Sequence, residues 1–373
     1  MKIGLSADWH IDNMSRTYLV KNVSNRELDM DKQVWFMLKE CIKRQVKYFI
    51  IAGDLFNKTT VNGYWFNRAI KYLRSFTDAG IHVVVIPGNH EVSESGVPLT
   101  NTLRELRNDM ISVYNEVGSM FSSGASFFLI PHIRREAFKD YKSFTEFVKE
   151  KWLARVRSKH GTVVIGHFEP KGSLPGAERE MFAGTSRILD TMMFRNSVVF
   201  SGHIHTPQKV GNMFIVGSPI RFSLGECKET KRFIIYDTEK KKGETIDLDC
   251  QRMYKIHIDF VTKDKVEFSE EKMKKYREVI VGISVESSKE NRMKIVSRDI
   301  ISAFEKAGAQ VISYEVKTQK EDTSKTKKGD KLSMTPVSLF VRTTKKIVKS
   351  DDRVPGILKM GKVILEDLEG LDD

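Results

Sequence analysis

Five short apolar runs between residues 2 and 202 each end in a small cluster of metal-ligand residues, and this regularity restricts the fold more than any other feature. KIGLSA leads to Asp8-Trp9-His10, YFIIA to Gly53-Asp54, IHVVVIP to Gly88-Asn89-His90, GTVVI to Gly166-His167, and SVVFS to Gly202-His203-Ile204-His205. Continuous Val/Ile/Phe runs are the pattern of strands buried on both faces of a parallel or mixed sheet. Open sheets bind ligands outside the carboxyl ends of their strands. Strands that repeatedly end in the same residue types therefore predict one shared site. Glycine at positions 53, 88, 166 and 202 is what a sharp turn needs where backbone passes close to an ion.

Each cluster is weak evidence alone, because a His after a strand is ordinarily a hydrogen-bonded residue. The series is stronger. Asp8, His10, Asp54, Asn89, His167, His203 and His205 offer oxygen and nitrogen donors without thiolate. That set suits a hydrolytic manganese, zinc or iron site better than a structural zinc. There are more donors than one ion usually takes, so two ions sharing a bridging carboxylate are expected, about 3.5–4 Å apart.

Between the clusters, residues 28–46 place Met30, Val34, Met37, Leu38, Cys41 and Ile42 at spacings of three and four, predicting a helix that packs one face on the sheet. Residues 64–76 predict a second helix, stopped before Gly80. Strand and helix in alternation predict a layered α/β fold.

The chain has 373 residues, beyond the size at which single cores stop growing, so two or more domains are expected. A composition that is 40% hydrophobic, without an apolar run long enough to span a bilayer, predicts a soluble protein. The amino terminus enters the first strand directly, leaving no room for a signal peptide. Cys41, Cys227 and Cys250 are odd in number and lack CxxC spacing, which fits free thiols in a reducing, cytoplasmic compartment. A net charge of +13 attracts polyanions. In a hydrolytic site acting on phosphodiesters, that charge would favour DNA over small phosphate esters.

A domain boundary is expected at residues 247–252. Beyond it, 279–285 alternates as a strand, 291–307 has helical periodicity and 310–316 is again a strand. Residues 317–331 are polar and of mixed charge, the pattern of a flexible loop. The tail at 350–373 carries Val354, Ile357, Leu358, Met360, Val363, Ile364 and Leu368 ahead of an acidic end, and is too short to bury that surface alone.

The order DxH, GD, GNH, GH, GHxH resembles the calcineurin-like metallophosphoesterases. Two details narrow the resemblance to the SbcD type, the nuclease subunit of DNA double-strand-break repair complexes. One is the opening ADWH. The other is Gly217-Ser218-Pro219-Ile220-Arg221-Phe222-Ser223-Leu224-Gly225-Glu226, which is similar to a GSP…R…FGE signature closing the catalytic domain. The motifs cover roughly the first two-thirds of the chain.

The resemblance implies an α/β fold: a layered metallophosphoesterase β-sandwich flanked by helices, with a smaller α/β capping domain. The nuclease domain would occupy residues 1–249, the DNA-capping domain 250–345, and a tail at 346–373 would dock a coiled-coil, SbcC-like ATPase or fold back on the cap. Two divalent ions are implied, Mn²⁺ foremost. Asp8, His10 and His205 would hold the first, Asn89, His167 and His203 the second, and Asp54 would bridge. His90 would stand outside the metal set as the catalytic residue that orients the phosphate or protonates the leaving oxygen. The implied activity is exonucleolytic and endonucleolytic hydrolysis of double- and single-stranded DNA in end processing, recombination and repair.

A homodimer is implied through helices at 62–77 and 98–110, where Trp65, Phe66 and Leu103 either meet a second copy or pack within their own domain. Two other classes stay open. A stand-alone metallophosphatase or cyclic-nucleotide phosphodiesterase is opposed by the 217–226 segment, the extra domain and the positive charge. A non-catalytic scaffold is opposed by the retention of every expected ligand position.

The chain departs from the SbcD pattern at Glu91, where Asp is usual after GNH, and at Ile11-Asp12-Asn13, where Leu-Gly is usual after DWH. Glu91 is expected behind the ligands, and Asp12 could alter metal affinity. Leu55-Phe56-Asn57-Lys58 replaces the Asp-Arg-Gly of protein phosphatases. Among the remaining histidines, His82 is expected at a solvent edge and His160 in a loop. His132 is expected in an ordinary loop, with DNA contact as the alternative.

Overall fold

A computed structural model of the chain describes residues 1–12, 19–20, 23–93, 95–106, 108–157, 162–174, 176, 188–262 and 268–318. They fall within one compact unit, Met1–Gln319. The tail, most of the 317–331 segment and His160 lie outside the described residues.

Two six-stranded sheets form the larger part. In the first, β1 (Lys2–Ser6), β2 (Tyr48–Ala52), β3 (His82–Ile86) and β4 (Ile111–Val113) run parallel in that spatial order. In the second, β6 (Ala125–Ile130), β7 (Val163–His167), β8 (Val198–Gly202) and β10 (Met213–Ile215) run parallel, edged by antiparallel β5 (Gly118–Ser122) and β9 (Gln208–Val210). Antiparallel β11 (Lys231–Asp237) and β12 (Lys242–Leu248) then extend the first sheet beyond β1. The chain thus returns to its first strand after building the second sheet.

The apolar runs alternate between two cores, which explains why they read as continuous. Ile50, Val84, Ile86, Phe127, Leu129, Val163, Ile165 and Phe200 meet between the sheets. Their neighbours Phe49, Ile51, Val83 and Val85 face outward under α1 (Asn25–Lys43) and α2 (Gly63–Asp78). On the far side, Phe128, Val164 and Val199 pack against Phe144, Phe147 and Val148 of α3 (Phe144–Arg157). A parallel strand buried on both faces has no position for an exposed polar residue.

α1 runs three residues earlier at both ends than the periodicity of 28–46 predicted. Met30, Val34, Met37 and Cys41 are buried as expected, but Ile42 is 52% exposed. One residue past Cys41 is a rotation of about 100°, so both cannot face the sheet. α2 starts on Asn62, whose Oδ1 accepts from Trp65 N at 3.1 Å. It ends as predicted, with Gly80 at φ 75° and Ile81 N donating back to Phe76 O.

Trp65 and Leu103 are buried in the core beneath α2 and Phe66 packs at its edge, so their apolar surface is used within their own fold. The segment expected as a helix at 98–110 is a 3₁₀ turn at Leu99–Leu106.

A third sheet of three parallel strands follows: β13 (Met253–Phe260), β14 (Ile280–Ser287) and β15 (Gln310–Thr318), with its own core beneath α4 (Ser297–Lys306). The helix expected over 291–307 is broken. Asn291–Lys294 is a 3₁₀ turn, and Ile295 and Val296 are extended before α4 begins. Burial of Ile295 in this core takes the side chain inward at the break. Among the described residues, no helix is long and apolar enough to cross a membrane.

Candidate metal centre

Both large sheets present their ligand clusters at the same edge. Asp8 and His10 follow β1, Asp54 follows β2, and Asn89 and His90 follow β3; His167 ends β7, and His203 and His205 follow β8. Backbone bonds tie neighbouring loops within the first sheet: Asp8 N to Gly53 O at 3.0 Å, His10 N to Asp54 O at 2.9 Å and Ile11 N to Leu55 O at 2.8 Å. Two further bonds cross between the sheets. His203 N donates to Asp8 Oδ1 at 2.9 Å, and His167 Nδ1 donates to Ala52 O at 3.0 Å.

Four of these residues adopt the left-handed backbone region that favours glycine: Asp8 at φ 54°, His10 at 46°, Asp54 at 51° and His203 at 85°. Each costs about 1–3 kcal/mol, and such residues persist only where their surroundings fix them. Trp9 supplies one fixing element. It is fully buried in the core under the helices, with Nε1 donating to Ser6 Oγ at 2.8 Å. Asp8 and His10 are thereby turned to the site while the residue between them is anchored away from it.

The glycines meet a stricter condition than turn geometry. A Cβ at Gly53, whose φ is 92°, would lie 1.9 Å from His167 Nδ1. One at Gly88 would lie 2.0 Å from Asp54 Oδ1, and one at Gly202 would lie 2.2 Å from Ala52 O. Any side chain there would displace a ligand or its support.

The donor atoms converge in overlapping groups. Asp8, His10 and His205 have ligand atoms within 4.8 Å of one another, as do His10, Asp54 and His90, and Asp8, Asp54 and His167. The Nε2 atoms of His10 and His205 face each other at 2.9 Å. Asn89 Oδ1 lies 2.9 Å from both His167 Nε2 and His203 Nδ1. Asp54 Oδ2 sits between the two ends, 3.3 Å from His167 Nε2 and 3.7 Å from His10 Nε2. All seven sequence-predicted donors and His90 therefore meet in one place. Distance alone does not separate His90 from the donors, since its ring centroid is 4.7 Å from that of His10.

Electrostatics favour a cation here. Burial raises Asp8 to about 6, with the Asp54 charge adding to it and His167 and His205 opposing. Burial would raise Asp54 as well, but His167, His10 and His90 together hold it well below the usual carboxylate range. Burial would lower His167, yet the Asp54 charge and hydrogen bond, with Asp8, lift it to about 9. Two buried carboxylates thus draw positive charge onto the nearest imidazole. Asp8 Oδ2 is buried without a hydrogen-bond partner. An oxygen desolvated in that way needs compensation of the kind a cation provides. The residues present fit divalent metal.

Glu91 lies behind the ligands as expected, and the structure gives it a job the sequence did not show. It is fully buried, with Oε1 accepting from Phe56 N at 2.8 Å and Oε2 from Gly88 N at 2.7 Å. It therefore joins the loop carrying Asp54 to the loop carrying Asn89. Asp12, one of the departures from the expected pattern, forms an ion pair with Lys58 at 2.7 Å.

His82 is more enclosed than expected: it is half-buried, lies against the Tyr48 ring and bonds Ser112 Oγ at 2.8 Å. His132 lies nearer the centre than an ordinary loop residue. Its backbone N–H donates to Pro87 O at 2.9 Å, and its ring centroid is 6.5 Å from that of His167. The sequence also concealed Lys231, a fully buried lysine behind His205, because it sits among lysines that look like surface residues.

Residues 1–207 match the calcineurin-like phosphoesterase family. Exonuclease subunit 1 of Enterobacteria phage T4 is 23% identical over 273 residues, covering 72% of this chain and 74% of that protein. The SbcD component of nuclease SbcCD from Escherichia coli (strain K12) is 23% identical over 278 residues, covering 66% of this chain and 67% of that protein. Among solved structures, purple acid phosphatase PPD1 from yellow lupin (Lupinus luteus) seeds aligns at 10% identity and a TM-score of 0.41, over 67% of this chain and 54% of that one.

Proposed function

The chain belongs to the calcineurin-like phosphoesterase family, and from that premise we propose that it is a metal-dependent DNA nuclease that works with a coiled-coil ATPase partner. The observation that carries the reading is the convergence of seven oxygen and nitrogen donors from two sheets, a buried carboxylate pair among them. The nuclease names of both relatives support DNA as substrate, as does the charge of +13.

In this reading Asp8, His10 and His205 would hold one ion, Asn89, His167 and His203 would hold the other, and Asp54 would contribute to both. The ions, with Mn²⁺ the proposed occupant, would supply an activated water near neutral pH and neutralise charge on the phosphodiester. The Nδ1–H of His167 donates to the Ala52 carbonyl, so Nε2 is the nitrogen that would face an ion. His90 likewise directs Nδ1 to the Asn57 carbonyl at 2.9 Å, so Nε2 is the nitrogen that would face the leaving oxygen.

The three-stranded lobe from Met253 onward would cap the DNA beside this centre, and residues 346–373 would dock the ATPase. A second copy of the chain would complete a homodimer. The name of the Escherichia coli relative, one component of a nuclease complex, supports an assembly of this kind.

The test is cleavage of end-labelled linear DNA by the purified protein with Mn²⁺, beside Asp54→Ala and a generic phosphomonoester. Nucleotide release that the substitution abolishes is the expected result. Phosphomonoester turnover without DNA cleavage would replace the nuclease with a stand-alone phosphatase.

A further inference from the structure

The 217–226 segment has no part in the centre as described so far, although it lies against it. Phe222 packs edge-on to His10 at 5.2 Å and tilts against His205 at 5.5 Å. Four residues later, Glu226 is 1% exposed and has Oε1 3.6 Å from His205 Nδ1. The same oxygen is 3.3 Å from Phe222 N and from Ser223 Oγ. Its other oxygen is 2.6 Å from Lys231 Nζ, which also reaches Glu229 Oε2 at 2.7 Å and His205 O at 2.9 Å. A buried lysine therefore holds a buried carboxylate behind one imidazole and binds the backbone of the same histidine.

Metal-bound histidines commonly donate their second ring nitrogen to a fixed acceptor, which sets the tautomer and raises ligand basicity. The groups behind the rings differ across this site. His167 has the neutral Ala52 carbonyl behind it. Behind His205 the facing group is a carboxylate. We infer that Glu226 is a positioning residue for His205, and that the ion held by Asp8, His10 and His205 is bound more tightly because an anion backs one of its ligands. This rests on the ligand assignment under Proposed function. It also gives the glutamate that closes the 217–226 segment a chemical reason to be there.

Lys231 Nζ, 2.6 Å from Glu226 Oε2, supplies the charge partner that a buried carboxylate needs. Glu229 provides an internal control, because it shares Lys231 and accepts from Thr206 Oγ1 at 2.6 Å. A variant there disturbs the same buried charges without touching the group that faces His205.

The experiment is calorimetric titration of Mn²⁺ into full-length wild type, Glu226→Gln, Glu226→Asp, Glu229→Gln and His205→Ala, with ¹¹³Cd NMR of the cadmium-loaded proteins as a spectroscopic check. Glu226→Gln is expected to weaken one binding step by roughly 10–100-fold, leave the other unchanged and shift one cadmium resonance. Glu229→Gln should lower the melting temperature while keeping both steps. If Glu226→Gln does not fold, Glu226→Asp withdraws the charge by one methylene and should weaken the same step.

Both steps unchanged in the Glu226 variants, while His205→Ala loses one, would overturn the positioning role and leave the ligand assignment standing. Equal weakening of both steps, or the same loss in Glu229→Gln, would reduce Glu226 to general packing and also overturn it. If His205→Ala itself changes nothing, the ligand assignment fails and this inference fails with it.

Discussion

Glu91 uses both carboxylate oxygens on backbone N–H groups, so glutamine is a poor substitute despite its shape. One oxygen becomes an NH₂ facing a donor. Glu91→Gln is expected to cost about 1–3 kcal/mol, read as a lower melting temperature of the metal-free protein. An unchanged melting temperature would mean the two loops do not depend on this clamp. A second residue-scale prediction concerns the thiols. All three cysteines are free, and burial pushes Cys41 up to about 12 from a reference of 9.0. A raised folded pKa means that the contribution of the neutral thiol is complete below pH 9 and is lost as pH rises through 12. Iodoacetamide at pH 8.5 should therefore modify half-buried Cys227 in the native protein and reach Cys41 only after denaturation, as mass spectrometry would show. Native labelling of Cys41 at that pH would contradict its place under α1. The sequence indicated Cys41 as a core residue through its helical spacing. It gave no sign of what Glu91 touches, because both partners are backbone groups and one of them, Phe56 N, lies on a loop remote in sequence.

Among the elements, α2 was legible at its end, where a glycine acts locally and the stop needs no tertiary partner; the Asn62 cap at its start is equally local, but the structure revealed it. Asn62→Ala should cost about 1 kcal/mol in urea unfolding, and no loss would show that Trp65 N finds another acceptor. The third sheet was less legible. Periodicity over 291–307 is continuous in the sequence, yet the chain breaks at Ile295 to seat that side chain in the core under α4. β14 also carries a glycine with a packing reason, since a Cβ at Gly282 would lie 2.2 Å from Leu224 Cδ1 and 2.7 Å from Ser313 Oγ. Gly282→Ala is expected to destabilise by about 1–3 kcal/mol through overpacking. Leu224 precedes Glu226 by two residues, so the same variant should also weaken Mn²⁺ binding in calorimetry. Stability loss with unaltered binding would show that the displacement stops short of the carboxylate.

For the whole molecule, a net charge of +13 has a measurable consequence if DNA is the substrate. A protein making six to ten phosphate contacts loses about 10³–10⁵ in affinity between 50 and 200 mM salt. Fluorescence anisotropy with the Asp54→Ala protein, inactive under the proposed mechanism, should therefore show steeply salt-dependent DNA binding. A flat profile would mean that the positive charge is dispersed rather than directed at the duplex.

What the sequence determined by itself was which residues meet. Apolar runs identify buried strands, and the residues at their carboxyl ends are oxygen and nitrogen donors, so the members of the candidate site could be named without coordinates. Both signals are local: burial follows from composition, and a strand end is fixed by the run before it. What only the tertiary structure decided was the partition of those strands. The first three belong to one sheet and the last two to another, which continuous two-face hydrophobicity cannot distinguish, because every such strand looks alike whichever sheet buries it. The return of β11 beside β1, the bonds from His203 to Asp8 and from His167 to Ala52, and the buried Lys231 with its two carboxylates all follow from that assembly. They depend on groups far apart in the chain, and desolvation makes them matter only once the two sheets have closed on each other.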